Sequence, residues 1–311
     1  MADGQALTDR LTERISILLP ANLQPMIVLE KLDAERILAD RMARLKVLWA
    51  EYDPPSAAQY DVEQLEFDPI KINQECCTYF ELLLRDRVNQ AARSITLAYA
   101  IGTDLDAIAS RYPGGVPRLE GESDDRYRRR IWLSPNTLSP HGTAEAYEYW
   151  ALTAEPDLRD VTAIRSVMHD YYPTILITCL MNTDYTDPKP SQETLVRIRA
   201  YIQSLSRQGL TDVISVNPPK VMNTEYKIAV WLYPGTAVEQ TLFKIATNID
   251  ALILNQYWLG HDHTMTSIHA ACAMSGVHHV DIESPEDDVL IPLDWVVKVT
   301  NVSIRLAGRT L

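Results

Sequence analysis

This sequence predicts a multidomain α+β protein, with an N-terminal helical region followed by two small α+β domains. Three observations carry the expectation. Apolar residues recur at helical spacing through the first third, the remainder interleaves alternating runs with helical ones, and proline–glycine clusters separate the blocks. At 311 residues the chain exceeds one typical domain. The breakers from Pro113 to Pro117 set the first boundary. The expected division is residues 1–112 helical, 113–210 a middle α+β domain, and 211–311 a C-terminal α+β domain.

Taken in order, Leu38, Met42, Leu45, Trp49 and Tyr52 form one stripe of an amphipathic helix capped by Asp33. Pro54 and Pro55 end it, because proline cannot continue a helix interior. The longest helical pattern runs from Pro69 to about Ala100. Cys77, Phe80, Leu84, Val88, Ala91, Ile95 and Ala98 make one stripe, and Ile72, Cys76, Tyr79 and Leu83 a second beside it. A helix apolar over so much of its circumference sits between several neighbours, other chains among them. A short helix restarts at Thr103 and stops before Pro113.

The middle block opens with a capped helix from Ser123 and a second helix from Thr143. Strand-like runs follow at Arg159 to Met168 and Pro173 to Met181, joined by a turn at His169 to Tyr172. Leu195, Ile198, Ile202 and Leu205 mark a further helix, with Gly209 as its left-handed end. The last hundred residues repeat this grammar. Thr211 to Val216 and Glu225 to Tyr233 read as strands, and Val238, Leu242, Ile245, Ile249 and Leu252 as a helix face. A short helix at Thr266 to Met274 precedes strands at Val277 to Ile282 and Val296 to Leu306. Helices on one face of an open, mixed or antiparallel sheet are expected.

Composition narrows function. Hydrophobic residues make up 46% and charged residues 23%, an ordinary globular balance. The formal net charge of −13 argues against a general nucleic-acid or anionic-membrane binder. No apolar run reaches the roughly 18 residues of a membrane span, and the first ten residues lack the order of a signal peptide. Cys76, Cys77, Cys179 and Cys272 show no C-x-x-C spacing and read as reduced structural thiols.

Chemical motifs are sparse. No phosphate-binding glycine cradle, dinucleotide fingerprint or nucleophile elbow is present. His261, His263, His269 and Cys272, with His278 and His279 beyond, invite a metal site, so a metal-dependent hydrolase using the His261–His279 region is the alternative reading. Their spacing fits no zinc motif, and no metal or other cofactor is expected. The acidic run Asp281, Glu283, Glu286, Asp287 and Asp288 lacks the geometry of a calcium loop and reads as a solvated one.

The segment Gly121-Glu-Ser-Asp-Asp-Arg-Tyr-Arg-Arg-Arg-Ile131 says most. Ser123 caps it, Asp124 and Asp125 suit the positive end of the helix dipole, and Tyr127 with Ile131 faces inward. Arg126, Arg129 and Arg130 then form a face suited to carboxylates. Five arginines meet four acids between Arg118 and Arg130, so a salt-bridge helix, within the chain or between subunits, is favoured over a DNA site.

As written, this segment resembles the signature of the baseplate J-type proteins, wedge components of contractile phage tails and tail-like particles. Phe67 to Ile70, Arg87 to Arg93, Gly102 to Asp106, Leu133 to Pro135 and Ala154 to Asp157 continue the resemblance in order. So do Leu259 to Asp262, Thr266 with Ser267, and Gly276 with Val277. It covers roughly Met26 to the end, leaving the first 25 residues as a variable extension. The resemblance implies a non-enzymatic protein of the virion or particle baseplate, assembled in the bacterial host cytoplasm. Its helical region would join the wedge core bundle with a second copy and an I-type wedge protein, near the W-type sheath-initiator. Its C-terminal part would meet neighbouring wedges in a six-fold ring and take part in the change that triggers sheath contraction. The expected interface residues are Arg126, Arg129 and Arg130, with Trp49, Phe80, Leu84 and Val88. The arginine face and the acidic C-terminal run would be complements across a ring contact.

Overall fold

Asp33 opens the first helix among the described residues, as its sequence suggests. Its carboxylate accepts the Arg36 N–H at 3.2 Å, and α1 runs over Ala34–Tyr52. The computed structural model describes residues 29–60, 67–112, 114–139, 142–166, 174–182, 187–204, 207–209 and 212–309. The turn expected at His169 to Tyr172, Leu205, Thr211 and the first 25 residues lie outside that set. The described chain divides into two compact units at the end of α4 (Gly102–Ala109), one up to Ile108 and one from Ala109.

In the first unit, Pro54 starts a new helix instead of simply ending the old one. Asp53 caps α2 (Pro54–Gln59), where a first-turn proline has no N–H to lose. Asp68 caps the long helix α3 (Pro69–Ser94). This helix stops short of the expected Ala100. Ser94 and Thr96 turn their hydroxyls onto the carbonyls of Ala91 and Ala92, competing with continued helix.

The face of α3 toward α1 is polar. Arg41 of α1 donates to Gln74 at 3.2 Å and to Glu81 at 2.8 Å, Arg85 bridges Glu81 and Glu30, and Asn89 bonds both backbone groups of Glu30. The apolar stripes lie outside this contact. Tyr79, Phe80, Leu83, Leu84, Val88 and Ile95 are all exposed, Leu84 at 69%.

The second unit holds two α+β halves. In the first half, α5 (Asp124–Leu133) ends before Pro135, which sits in the first turn of a 3-10 segment at Ser134–Leu138. Then come α6 (Ala144–Ala154), β1 (Leu158–Ser166), β2 (Thr174–Met181), α7 (Gln192–Ile202) and β3 (Val213–Asn217). Strands β1 and β2 pair antiparallel, with Ala163 opposite Ile177.

Strand β3, expected to open the last domain, joins this sheet instead, parallel to β2 with Ile177 opposite Val216. Ile214 and Val216 complete the core of Tyr147, Leu158, Ile177 and Ile198, which gives the placement its driving force. Gly209 is not the left-handed end of α7. It lies where a Cβ would come within 2.5 Å of the Asp212 carboxylate, which accepts the Tyr147 hydroxyl at 2.5 Å.

The second half contains β4 (Lys220–Leu232), α8 (Val238–Gln256), α9 (Met265–Cys272), β5 (Val277–Ser284) and β6 (Trp295–Arg309). Its sheet has the order β5-β4-β6, antiparallel on one side of β4 and parallel on the other. Tyr226, Ile228, Val230 and Leu232 alternate as the sequence requires for strands, although Ala229 is buried between them too. They pack beneath Ile245 and Ile249 of α8 and Ile268 and Cys272 of α9, so both helices share the inner face of the sheet.

Candidate functional site in the arginine-rich helix

A tight turn prepares this site. Glu122 N–H donates to the Leu119 carbonyl at 3.1 Å, and Gly121 takes φ +72°, a conformation that side chains disfavour. The turn sends the Glu122 carboxylate back under α5. Ser123 accepts the Arg126 N–H at 3.4 Å as the N-cap, and Tyr127 and Ile131 are buried, as expected of the inward pair. Tyr127 donates its hydroxyl to the Val116 carbonyl at 2.6 Å, and the Arg118 guanidinium covers its ring at 4.4 Å.

The three arginines expected to face a neighbouring chain have partners within their own. Arg130 is fully buried against an equally buried Glu122. Its Nε and one terminal nitrogen grip the two carboxylate oxygens at 2.8 and 3.0 Å. The nitrogen that grips the second oxygen also donates to the Pro117 carbonyl at 2.6 Å, and the other terminal nitrogen reaches Thr153 at 3.2 Å. Arg126 shares Glu122 and caps the end of α6, donating to the carbonyls of Leu152 and Glu155 and to Leu158 O at 3.1 Å. Burial holds its guanidinium below the ordinary arginine value, with Glu122 pulling the other way. Arg129 lies 2.6 Å from Asp160, donates to the Val161 carbonyl at 3.1 Å, and stands 3.9 Å from Glu148. Arg128 is buried as well, over Asp125.

Chemically this arrangement is a clamp. Three neighbouring cations need three anions and several carbonyls to be stable out of water, and the chain supplies them from the turn, α6 and β1. Glu122 had a legible signal, four residues before Arg126 and eight before Arg130. Asp160 and Glu148 had none, because their pairing depends on how β1 and α6 cross α5. Replacing Arg126 by lysine is expected to cost about 2 kcal/mol, since one ammonium cannot serve the forked set of acceptors. Urea unfolding of the two proteins measures it.

The other expected interface residues lie in the first unit. Phe80, Leu84 and Val88 are exposed along α3, and Trp49 is half-buried with its ring 5.3 Å from Tyr60. The histidines of the hydrolase reading are dispersed. His263 is fully buried with Nδ1 2.5 Å from the Tyr226 hydroxyl, His269 rides on α9, His278 meets Tyr233 edge-on, and His279 lies tilted against Trp231. Among the described residues no three histidine, cysteine or acidic side chains converge as metal ligands, and no helix is long and apolar enough to cross a membrane.

Comparison with known proteins bears on the whole chain. A family model described as the baseplate J-like N-terminal domain matches residues 66–124, a span that includes α3 and α4. Baseplate protein J of Escherichia phage P2 is 29% identical over 277 residues, covering 85% of this chain and 89% of that protein. A chain in the cryo-EM structure of the anti-feeding prophage baseplate aligns over 61% of this chain at 12% identity and a TM-score of 0.37. The present chain spans 43% of that chain's length. With the Gly121–Ile131 segment and a relative matched along most of its length, the chain is similar to the baseplate J-type proteins.

Proposed function

We propose that this chain is a structural protein of a phage or tail-like-particle baseplate, built into the wedge around the tail axis. The observation that carries the reading is the inverted amphipathicity of α3. Its polar side, Gln74, Glu81, Arg85 and Asn89, is spent on α1 and the residues before it, while Phe80, Leu84 and Val88 face outward. Isolated exposed apolar residues are ordinary, but a continuous stripe along a 26-residue helix marks a surface that another chain covers. A second copy of this chain is the proposed occupant, with Trp49 at the margin and an I-type wedge protein completing the bundle near the W-type sheath-initiator. The unit from Ala109 onward then meets neighbouring wedges in a six-fold ring, and the assembly carries the rearrangement that triggers sheath contraction. Its place is the baseplate of the particle, assembled in the host cytoplasm.

The test is the variant Phe80→Asp with Leu84→Asp. Both positions are exposed, so the separate chain should fold with stability within about 0.5 kcal/mol of the original. Two differently tagged copies should no longer co-purify, and complemented particles should lack baseplates. Normal contractile particles from this variant would overturn the proposal.

A further inference from the structure

We propose that Asp160 couples the arginine-rich helix to the C-terminal α+β half, so that α5 through β6 turn as one stiff lever. Asp160 is buried at the start of β1 and bonded on two sides. One oxygen meets Arg129 at 2.6 Å and the Val161 N–H at 2.7 Å. The other accepts the Leu259 N–H at 2.9 Å, a residue 99 positions further on in the second half. Releasing either side leaves a desolvated charge incompletely paired, which resists opening far more than an exposed pair does.

Residues next to Asp160 work in the same direction. Arg159 donates to the carbonyls of Tyr257 at 2.8 Å and Leu254 at 2.6 Å, filling acceptors that the end of α8 leaves open. Its guanidinium also lies 4.8 Å above the Trp258 ring. Thr162 donates to the Leu293 carbonyl at 3.0 Å. Beside them Leu180 of β2 packs with Tyr257, Leu259 and Val296, all with no exposure, so the polar joint has an apolar plug.

The segment that Asp160 holds is itself tied to the next loop. Asp262 accepts the Ile291 N–H at 2.8 Å, His263 and Val289 exchange backbone bonds at 3.0 and 2.9 Å, and Asp288 accepts the Met265 N–H at 2.7 Å. A continuous bonded chain therefore runs from Arg129 through Asp160 and Leu259 to the acidic loop at Asp288. The arginine face and the acidic run, which the sequence offered as complements between subunits, are linked within one chain, from buried Asp160 to exposed Asp288.

Hydrogen–deuterium exchange of the full chain, with Arg129→Lys and Asp160→Asn as parallel variants, tests this. Arg129 bonds to α6 and β1, yet its replacement should speed exchange about tenfold in residues 257–265 and 286–292, as Asp160→Asn should. Exchange in α3 should stay unchanged. Acceleration confined to α5 and β1 in Arg129→Lys would overturn the coupling, and so would an equal rise across α7, α8 and every strand.

Discussion

Replacing Arg130 by methionine is expected to cost about 3–5 kcal/mol, the largest single loss in this chain. Arg130 and Glu122 are both without exposure, and the pair is bidentate. Removing the guanidinium leaves the Glu122 carboxylate to Arg126 and the Leu119 N–H, in a site closed to water. Adding Glu122→Gln to that variant should recover part of the loss, because the amide no longer brings a charge into the site. Equilibrium unfolding in urea measures both. A loss below about 1 kcal/mol for Arg130→Met, the range of an exposed pair, would show that the clamp does not hold α5 in place.

A second large effect follows from His263. Burial, with His261 beside it, holds this imidazole at about 4, well under the ordinary 6.5. As pH falls through 6.5, the unfolded chain takes up a proton that the folded protein refuses. The stability contributed by neutral His263 is therefore complete above pH 6.5 and is lost between 6.5 and about 4. The loss amounts to about 3 kcal/mol. Carboxylates titrate nearby, so the informative quantity is the difference in unfolding free energy between the original protein and His263→Gln at each pH. That difference should shrink steadily on acidification. A flat difference would mean that His263 takes its proton in the folded state as readily as in the unfolded one.

Much of the architecture could be read along the chain because its causes are local. Asp33, Ser123 and Thr143 cap the helices they precede, each accepting an N–H three residues on. Tyr226 to Leu232 alternates because one face of β4 lies under α8 and α9. What escaped the reading depends on chain crossings. Strand β3 belongs to the first sheet because β2 offers it a parallel edge and a shared core, and neither is visible in residues 213–217. The same holds for the arginines. Their helical spacing could be read directly, but their direction is set by Glu122, Asp160 and the carbonyls of α6. A face of three cations looks the same in sequence whether it turns outward to a partner or inward to its own chain. On α3 the ambiguity ran the other way: two apolar stripes were legible, and the structure leaves them outside.

On the proposed reading, the arginine-rich signature is bonded within its own chain while α3 is the surface that partners cover. Hydrogen–deuterium exchange, compared between the separate chain and assembled particles, tests it most directly. Residues 121–133 should be strongly protected already in the separate chain and change little on assembly, while residues 69–94 should gain protection. A signature segment that exchanges freely alone and becomes protected only in the particle, with α3 unaltered, would contradict it.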